Sequence, residues 1–157
     1  MKLVSRLPLM LTALIGCSGQ TGWEMRLEGV SLAEFMVEPL DADSNQCGLY
    51  AVEPLLTAAR LPIRAYTKIR EGKGGVVIFL NVLSARQTLQ CVHSISFTVT
   101  AYHSIQLPHN KVAHLQEVVL WRGGKLISGS IGDGKRVTDS LEIIAKRFAA
   151  DWLLANP

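Results

Sequence analysis

Cys91-Val92-His93-Ser94-Ile95-Ser96-Phe97-Thr98-Val99-Thr100-Ala101-Tyr102 alternates along its whole length. Cys91, His93, Ile95, Phe97, Val99 and Ala101 share one parity, and Ser94, Ser96, Thr98, Thr100 and Tyr102 share the other. A period of two is that of a strand with one face in a core and one in water. The segments around it supply its neighbours. Val76 to Leu83 is a continuous apolar run, expected of a central strand. Gly72 to Gly75 forms a turn before it. Downstream, Pro108-His109-Asn110 breaks the strand and Ala113 to Trp121 supplies another. Gly123-Gly124 reads as a hairpin leading into Lys125 to Ser128. Upstream, Ile63, Ala65, Thr67 and Ile69 alternate with Arg64, Tyr66, Lys68 and Arg70, which predicts a further half-buried strand. Ser31 to Leu40 predicts the first.

Two helices complete the pattern. Asp41-Ala42-Asp43-Ser44-Asn45 is a turn and cap cluster. Beyond it Leu49, Val52, Leu56 and Ala59 recur at three- to four-residue spacing up to Arg60, with Pro54 either in the helix's first turn or at a kink. The last element is the clearest. Val137, Leu141, Ile144, Phe148, Trp152 and Ala155 keep one helical face apolar throughout. Asp139 and Glu142 lie early and Lys146 and Arg147 later, as the helix dipole prefers. The expected fold is α+β: an antiparallel sheet of about four to five strands with both helices packed on one face. Residues 31–157 form one domain, with no internal repeat.

The N-terminus has a different character. Lys2 and Arg6 precede an apolar stretch from Leu7 to Gly16, the length of a signal peptide and well short of the ~20 residues a membrane span needs. Its last residues, Leu14-Ile15-Gly16-Cys17, resemble the lipobox of bacterial lipoprotein precursors. The resemblance covers about the first seventeen residues. It implies cleavage before Cys17, lipidation of that cysteine, and stable anchoring by more than one acyl chain. Ser18 stands where an Asp would favour inner-membrane retention, so the resemblance points to the periplasmic face of the outer membrane. Three alternatives stay open: cleavage after Gly19, leaving a soluble periplasmic or secreted protein, a retained N-terminal anchor, and an intracellular protein. Residues 1–16 are thus read as signal peptide and 17–30 as a Gly-rich, polar tether.

Removing residues 1–16 takes away two of the 16 basic residues and none of the 13 acidic ones, so the net charge falls from +3 to +1. A nucleic-acid partner has no support from charge. Hydrophobic residues make up 48% of the chain, enough for a packed core and against disorder. If Cys17 is lipidated, Cys47 and Cys91 remain. In an oxidising compartment they make one disulfide; otherwise they are two buried thiols. Without a Cys-x-x-Cys pair, neither a zinc nor a redox site is indicated.

Motifs for chemistry fall short. Gly129-Ser130-Ile131-Gly132-Asp133-Gly134-Lys135-Arg136 approaches a phosphate-binding loop, but Arg136 stands where a magnesium-holding hydroxyl belongs. A glycine-rich loop entering the final helix, with anion capture by Lys135 as the lesser alternative, accounts for it. His93 and His103 share a parity but lie too far apart along one strand for one metal. His103 and His114 become neighbours only if their strands pair across Pro108, and no carboxylate is placed beside them. Gly129-Ser130 misses the nucleophile-elbow pattern. Glu28, Glu34, Glu38 and Glu53 form no recognisable pair. No catalytic residue, metal or cofactor is assigned.

The remaining candidate is a surface. If both helices cover one side of the sheet, the other presents Arg64, Tyr66, Lys68 and Arg70 beside Ser96, Thr98, Thr100 and Tyr102. Basic, aromatic and hydroxyl groups on a rigid face suit an envelope protein, a glycan or an anionic lipid. The expected class is a non-enzymatic envelope accessory or binding protein. The alternatives are a small exported hydrolase-like enzyme and a soluble periplasmic assembly subunit.

Overall fold

Val76 to Leu83 is apolar at nearly every position, yet only one of its faces is closed. In the computed structural model, which describes residues 24–106, 109 and 112–157, it belongs to a strand that buries Ile78, Leu80, Val82 and Ser84 and exposes Leu83. Along the chain come α1 (Glu24–Leu27), β1 (Leu32–Val37), α2 (Ala42–Gln46), α3 (Glu53–Tyr66), β2 (Arg70–Glu71), β3 (Val76–Gln87), β4 (Gln90–Gln106), β5 (Ala113–Ser130) and α4 (Gly134–Ala155). The five strands make one sheet in the order β2-β1-β3-β4-β5. The class is α+β. Two long helices lie on one side of the sheet, and α1 and α2 are short.

The sheet is mixed rather than antiparallel. β1 runs parallel to both β2 and β3, whereas β3, β4 and β5 are antiparallel neighbours. The reason is the helical crossover. A strand followed by a helix and a return to the same sheet arrives parallel, and α3 is that crossover. The strand expected over 63–70 is absent. Ile63 to Tyr66 finish α3, and only Arg70–Glu71 pair with β1. Ile63 suits both periods. It completes the helical stripe Leu55, Ala59, Ile63, all three buried, and packing of that stripe decides the outcome. Leu49 is buried ahead of the helix, and Pro54 sits in its first turn, where its missing N–H costs nothing.

Gly123-Gly124 is no hairpin either. β5 runs through it as one strand of 18 residues. A Cβ on Gly123 would lie 2.3 Å from the Trp121 ring. The glycine is there so that the indole can fold over its own strand. Trp121, Phe97 and Phe148 then meet with centroids 5.4–5.5 Å apart, and the expected apolar face of α4 closes the core over them.

The packed domain begins before residue 31. Leu27 and Val30 are buried, within the stretch assigned to a tether. The two ends are clasped together: the Gly29 amide donates to Asn156 Oδ1 (2.8 Å), Asn156 Nδ2 donates to the Leu27 carbonyl (3.0 Å), and Trp152 Nε1 donates to the Val30 carbonyl (2.8 Å). Among the described residues no helix is long and apolar enough to cross a membrane. Cys17 and the signal-peptide reading lie outside the described residues.

Candidate functional site

The expected basic stripe does not form one strand of the sheet. Arg64 and Tyr66 lie on α3, Lys68 lies in the connection after it, and Arg70 opens the edge strand β2. Arg64 is also engaged, donating to Glu71 Oε2 at 2.9 Å, while Arg60 donates to Glu71 Oε1 at 2.6 Å. Thr98 and Tyr102 are where the alternation puts them, on the face of β4 away from the helices.

What the open face holds instead follows from register. Met36 is level with Phe79 on β3, Phe79 with Thr98, and Thr98 with Arg122. Around this row lies a depression of about 420 Å³ with Met36, Val77 and Phe79 as apolar floor and Asn81, Ser96, Thr98, Thr100, Tyr102, Glu117 and Arg122 as polar walls. A bulge sets Leu120 of β5 between Trp121 and Val119, the partners of Val99 and Thr100, and Thr100 is buried. Glu38 accepts from Asn81 Nδ2 at its edge. Glu117 faces Arg122 on the β5 side and Glu38 stands at the edge by Asn81, so the depression is slightly acidic. Met36, Leu83 and Leu126 are 47%, 56% and 72% exposed. This is a surface for apolar and hydrogen-bonding contact, not for a strongly charged ligand.

The glycine-rich loop has a structural explanation. Gly48 has φ +91°, and a Cβ on it would stand 2.6 Å from Gly132 Cα. The Gly132 amide donates to the Cys47 carbonyl (3.3 Å), and a Cβ on Gly134 would stand 2.6 Å from the Gly48 carbonyl oxygen. Two backbones touch, and the glycines permit it. Lys135 is paired with Asp139 at 2.6 Å, and Arg136 donates to the Ser128 carbonyl at 2.7 Å. Gly48→Ala is expected to destabilise by about 2–3 kcal/mol, from the left-handed backbone plus the clash; urea unfolding checks it.

Beside that contact Cys47 and Cys91 are joined in a disulfide, both residues fully buried. Next to it is a buried polar chain absent from the sequence-derived candidates. Ser44 Oγ donates to Ser84 Oγ (2.8 Å), and Ser84 Oγ is 2.9 Å from His93 Nδ1. Asp41 caps α2 by accepting from the Ser44 amide (2.6 Å), and hydrogen bonding from Ser44, its side chain first and its amide after, holds the carboxyl below the usual range against the opposing effect of burial. Polar residues at inward positions of β3 and β4 were the available signal. Ser44, Ser84 and His93 are all buried, and their hydrogen bonds fasten α2 to the sheet.

Burial holds the His93 imidazole below its ordinary 6.5, against an upward pull from Asp133 and Asp41. The unfolded chain therefore binds more protons in the window just beneath 6.5. His93's contribution to stability is complete above that value and is lost as pH falls through the window. The urea midpoint is expected to drop between about pH 7.5 and about pH 5.5, and His93→Gln to flatten that slope.

His103 and His114 do come to one face of the paired β4 and β5 ends, since Ile105 is level with His114 and His103 with Gln116. Among the described residues no group of three His, Cys, Asp or Glu is placed to hold a metal.

No known protein family matches the chain, and no curated protein matches it. Among solved structures, a minor lipoprotein from Acinetobacter baumannii is similar at 10% identity over 77% of this chain and 87% of that one, with a TM-score of 0.27, too low a score to carry any argument.

Proposed function

We propose that this chain is an exported accessory protein of a bacterial envelope, anchored through Cys17, that holds a partner protein on the open face of its sheet. The observation that carries the binding role is the row Met36, Phe79, Thr98 and Arg122. It is an apolar floor with hydroxyl walls, and no described element covers it. Exposed apolar groups gathered on one rigid face mark interaction sites more often than scattered ones do. Two carboxylates against one guanidinium there favour a protein over an anionic lipid. Export is supported by the pattern of residues 1–17 and by the buried Cys47–Cys91 bridge, a bond that persists in oxidising compartments.

Intact mass of the protein from a native membrane fraction tests the anchor. The expected species begins at Cys17 with diacylglyceryl and acyl mass, and Cys17→Ser removes it. An unmodified chain starting after Gly19 would replace the anchor with a diffusible protein. Native electrophoresis of the same fraction tests the face. Phe79→Glu is expected to dissolve a larger complex into monomer while the far-ultraviolet spectrum stays unchanged. Migration identical to the parent chain would remove the face from the proposal.

A further inference from the structure

The open face of the sheet is lopsided. Residues paired in register share a face, so it can be read row by row. β3 brings Phe79 and Leu83 to it where β4, directly alongside, brings Thr98 and Ser94. Large side chains thus stand on one half and small hydroxyls on the other. Leu126 and Tyr102, exposed toward the two ends, are apolar exceptions on the hydroxyl half. Charge is divided too. Glu34 on β1 and Glu38 just past its end flank Met36, whereas Arg122, level with Thr98, stands on β5. Toward α1, Glu117 on β5 is level with Tyr102, and Arg70 on β2 is level with Leu32.

Such a face complements itself. Consider a half-turn about an axis that lies above the face, parallel to the strands and between β3 and β4. It sets β3 of one copy over β4 of the other, and β1 over β5. Phe79 then falls over Thr98 and Leu83 over Ser94, large against small as packed layers require. Arg122 of each copy comes between Glu34 and Glu38 of the other. Glu117 comes to the side of Arg70. One operation therefore matches both shape and charge.

We propose that the partner held on the open face is a second copy of this chain, stacked sheet on sheet about that axis. The inference rests on the open-face reading above and names its occupant. Two sheets packed in this way lie about 10 Å apart with their strands nearly aligned. Four strands at about 4.8 Å, each contributing about nine residues at about 3.4 Å, give a contact of roughly 600 Å² per copy counted flat. The pair then buries on the order of 1,200 Å², above the ~1,000 Å² that a specific interface needs. Because the axis runs along the strands, each copy keeps its height. α1 lies beside Val119 of its own β5 in both, so the two N-terminal ends emerge at the same end of the pair. Two chains anchored through Cys17 can thus share one bilayer.

The test uses the full chain purified from membranes in detergent and weighed by native mass spectrometry. At about 10 μM the parent is expected as a dimer. Arg122→Glu sets like charges against Glu34 and Glu38, and the double variant Glu34→Arg with Glu38→Arg sets them against Arg122. Each is expected to weaken the dimer at least roughly tenfold, with an unchanged far-ultraviolet spectrum. Mixing the two restores opposite charges at both contacts, so a mixed dimer is expected to return. Variants that stay dimeric, or a mixture of folded variants that stays monomeric, overturn the stack. A monomeric parent overturns it whether or not a variant folds. Phe79→Glu separates this inference from the reading beneath it. If it dissolves a native complex that contains a single copy of this chain, the open face stands and the second copy falls. If it leaves the complex intact, both fall.

Discussion

Replacing both bridge cysteines, as Cys47→Ala with Cys91→Ala, is expected to lower the free energy of unfolding by about 4 kcal/mol. The bridge spans 44 residues of sequence. Closing a loop of that length removes many conformations from the unfolded chain, and the loss is independent of any contact in the folded state. Domains of this size have only about 5–15 kcal/mol in hand, so the variant sits near its threshold at body temperature. Equilibrium urea unfolding at pH 7 is the measurement. A loss under about 1 kcal/mol would mean that the unfolded chain already keeps these segments together. The bridge also joins α2 to β4 beside the Gly48–Gly132 contact, so the first region expected to lose hydrogen-exchange protection is residues 42–49.

Phe148→Ala is expected to cost a similar amount, about 4 kcal/mol, for a different reason. The ring is fully buried and touches Phe97 and Trp121 at once. Truncation leaves a cavity between helix and sheet that neither rigid strand can collapse to fill. Phe148→Leu keeps most of the volume and is expected to cost about 1.5 kcal/mol or less. On the other side of the same helix Ile143 is 58% exposed, and Ile143→Ala is expected to stay within about 0.5 kcal/mol. Urea unfolding ranks the three, and the near-ultraviolet signal of Trp121 reports whether the cluster has loosened.

The parts of the fold that could be read from the chain are those where one period runs long enough to exclude the other. α4 keeps an apolar stripe across 22 residues, and β4 alternates without a break from Cys91 to Val99. Residues 63–70 could not be read in that way. Four alternating residues are also one turn of helix, and the choice was made by the distant partners of Ile63. That error carried the proposed surface with it, because Arg64 and Tyr66 left the sheet while Thr98 and Tyr102 stayed. Gly123-Gly124 failed for a related reason: a glycine that clears space for a ring looks identical in sequence to one that turns a chain. The Ser44–Ser84–His93 chain joins residues 40 and 9 positions apart. No local pattern announces it, though a serine and a histidine at inward strand positions were a warning. The open face emerged only when β1 was placed beside β3, since Met36 and Phe79 are 43 positions apart in sequence and level in the sheet.

The clasp between Asn156 and the Leu27–Gly29 turn sets a clock on synthesis. A ribosome makes Gly29 first and Asn156 127 residues later. Until Asn156 exists, the Gly29 amide lacks that acceptor, and α4 cannot complete the cover over Val30. The nascent chain therefore stays unlocked until the end of α4 has been made. Closure of the fold thus waits on the last turn of α4, wherever the chain is when that turn forms.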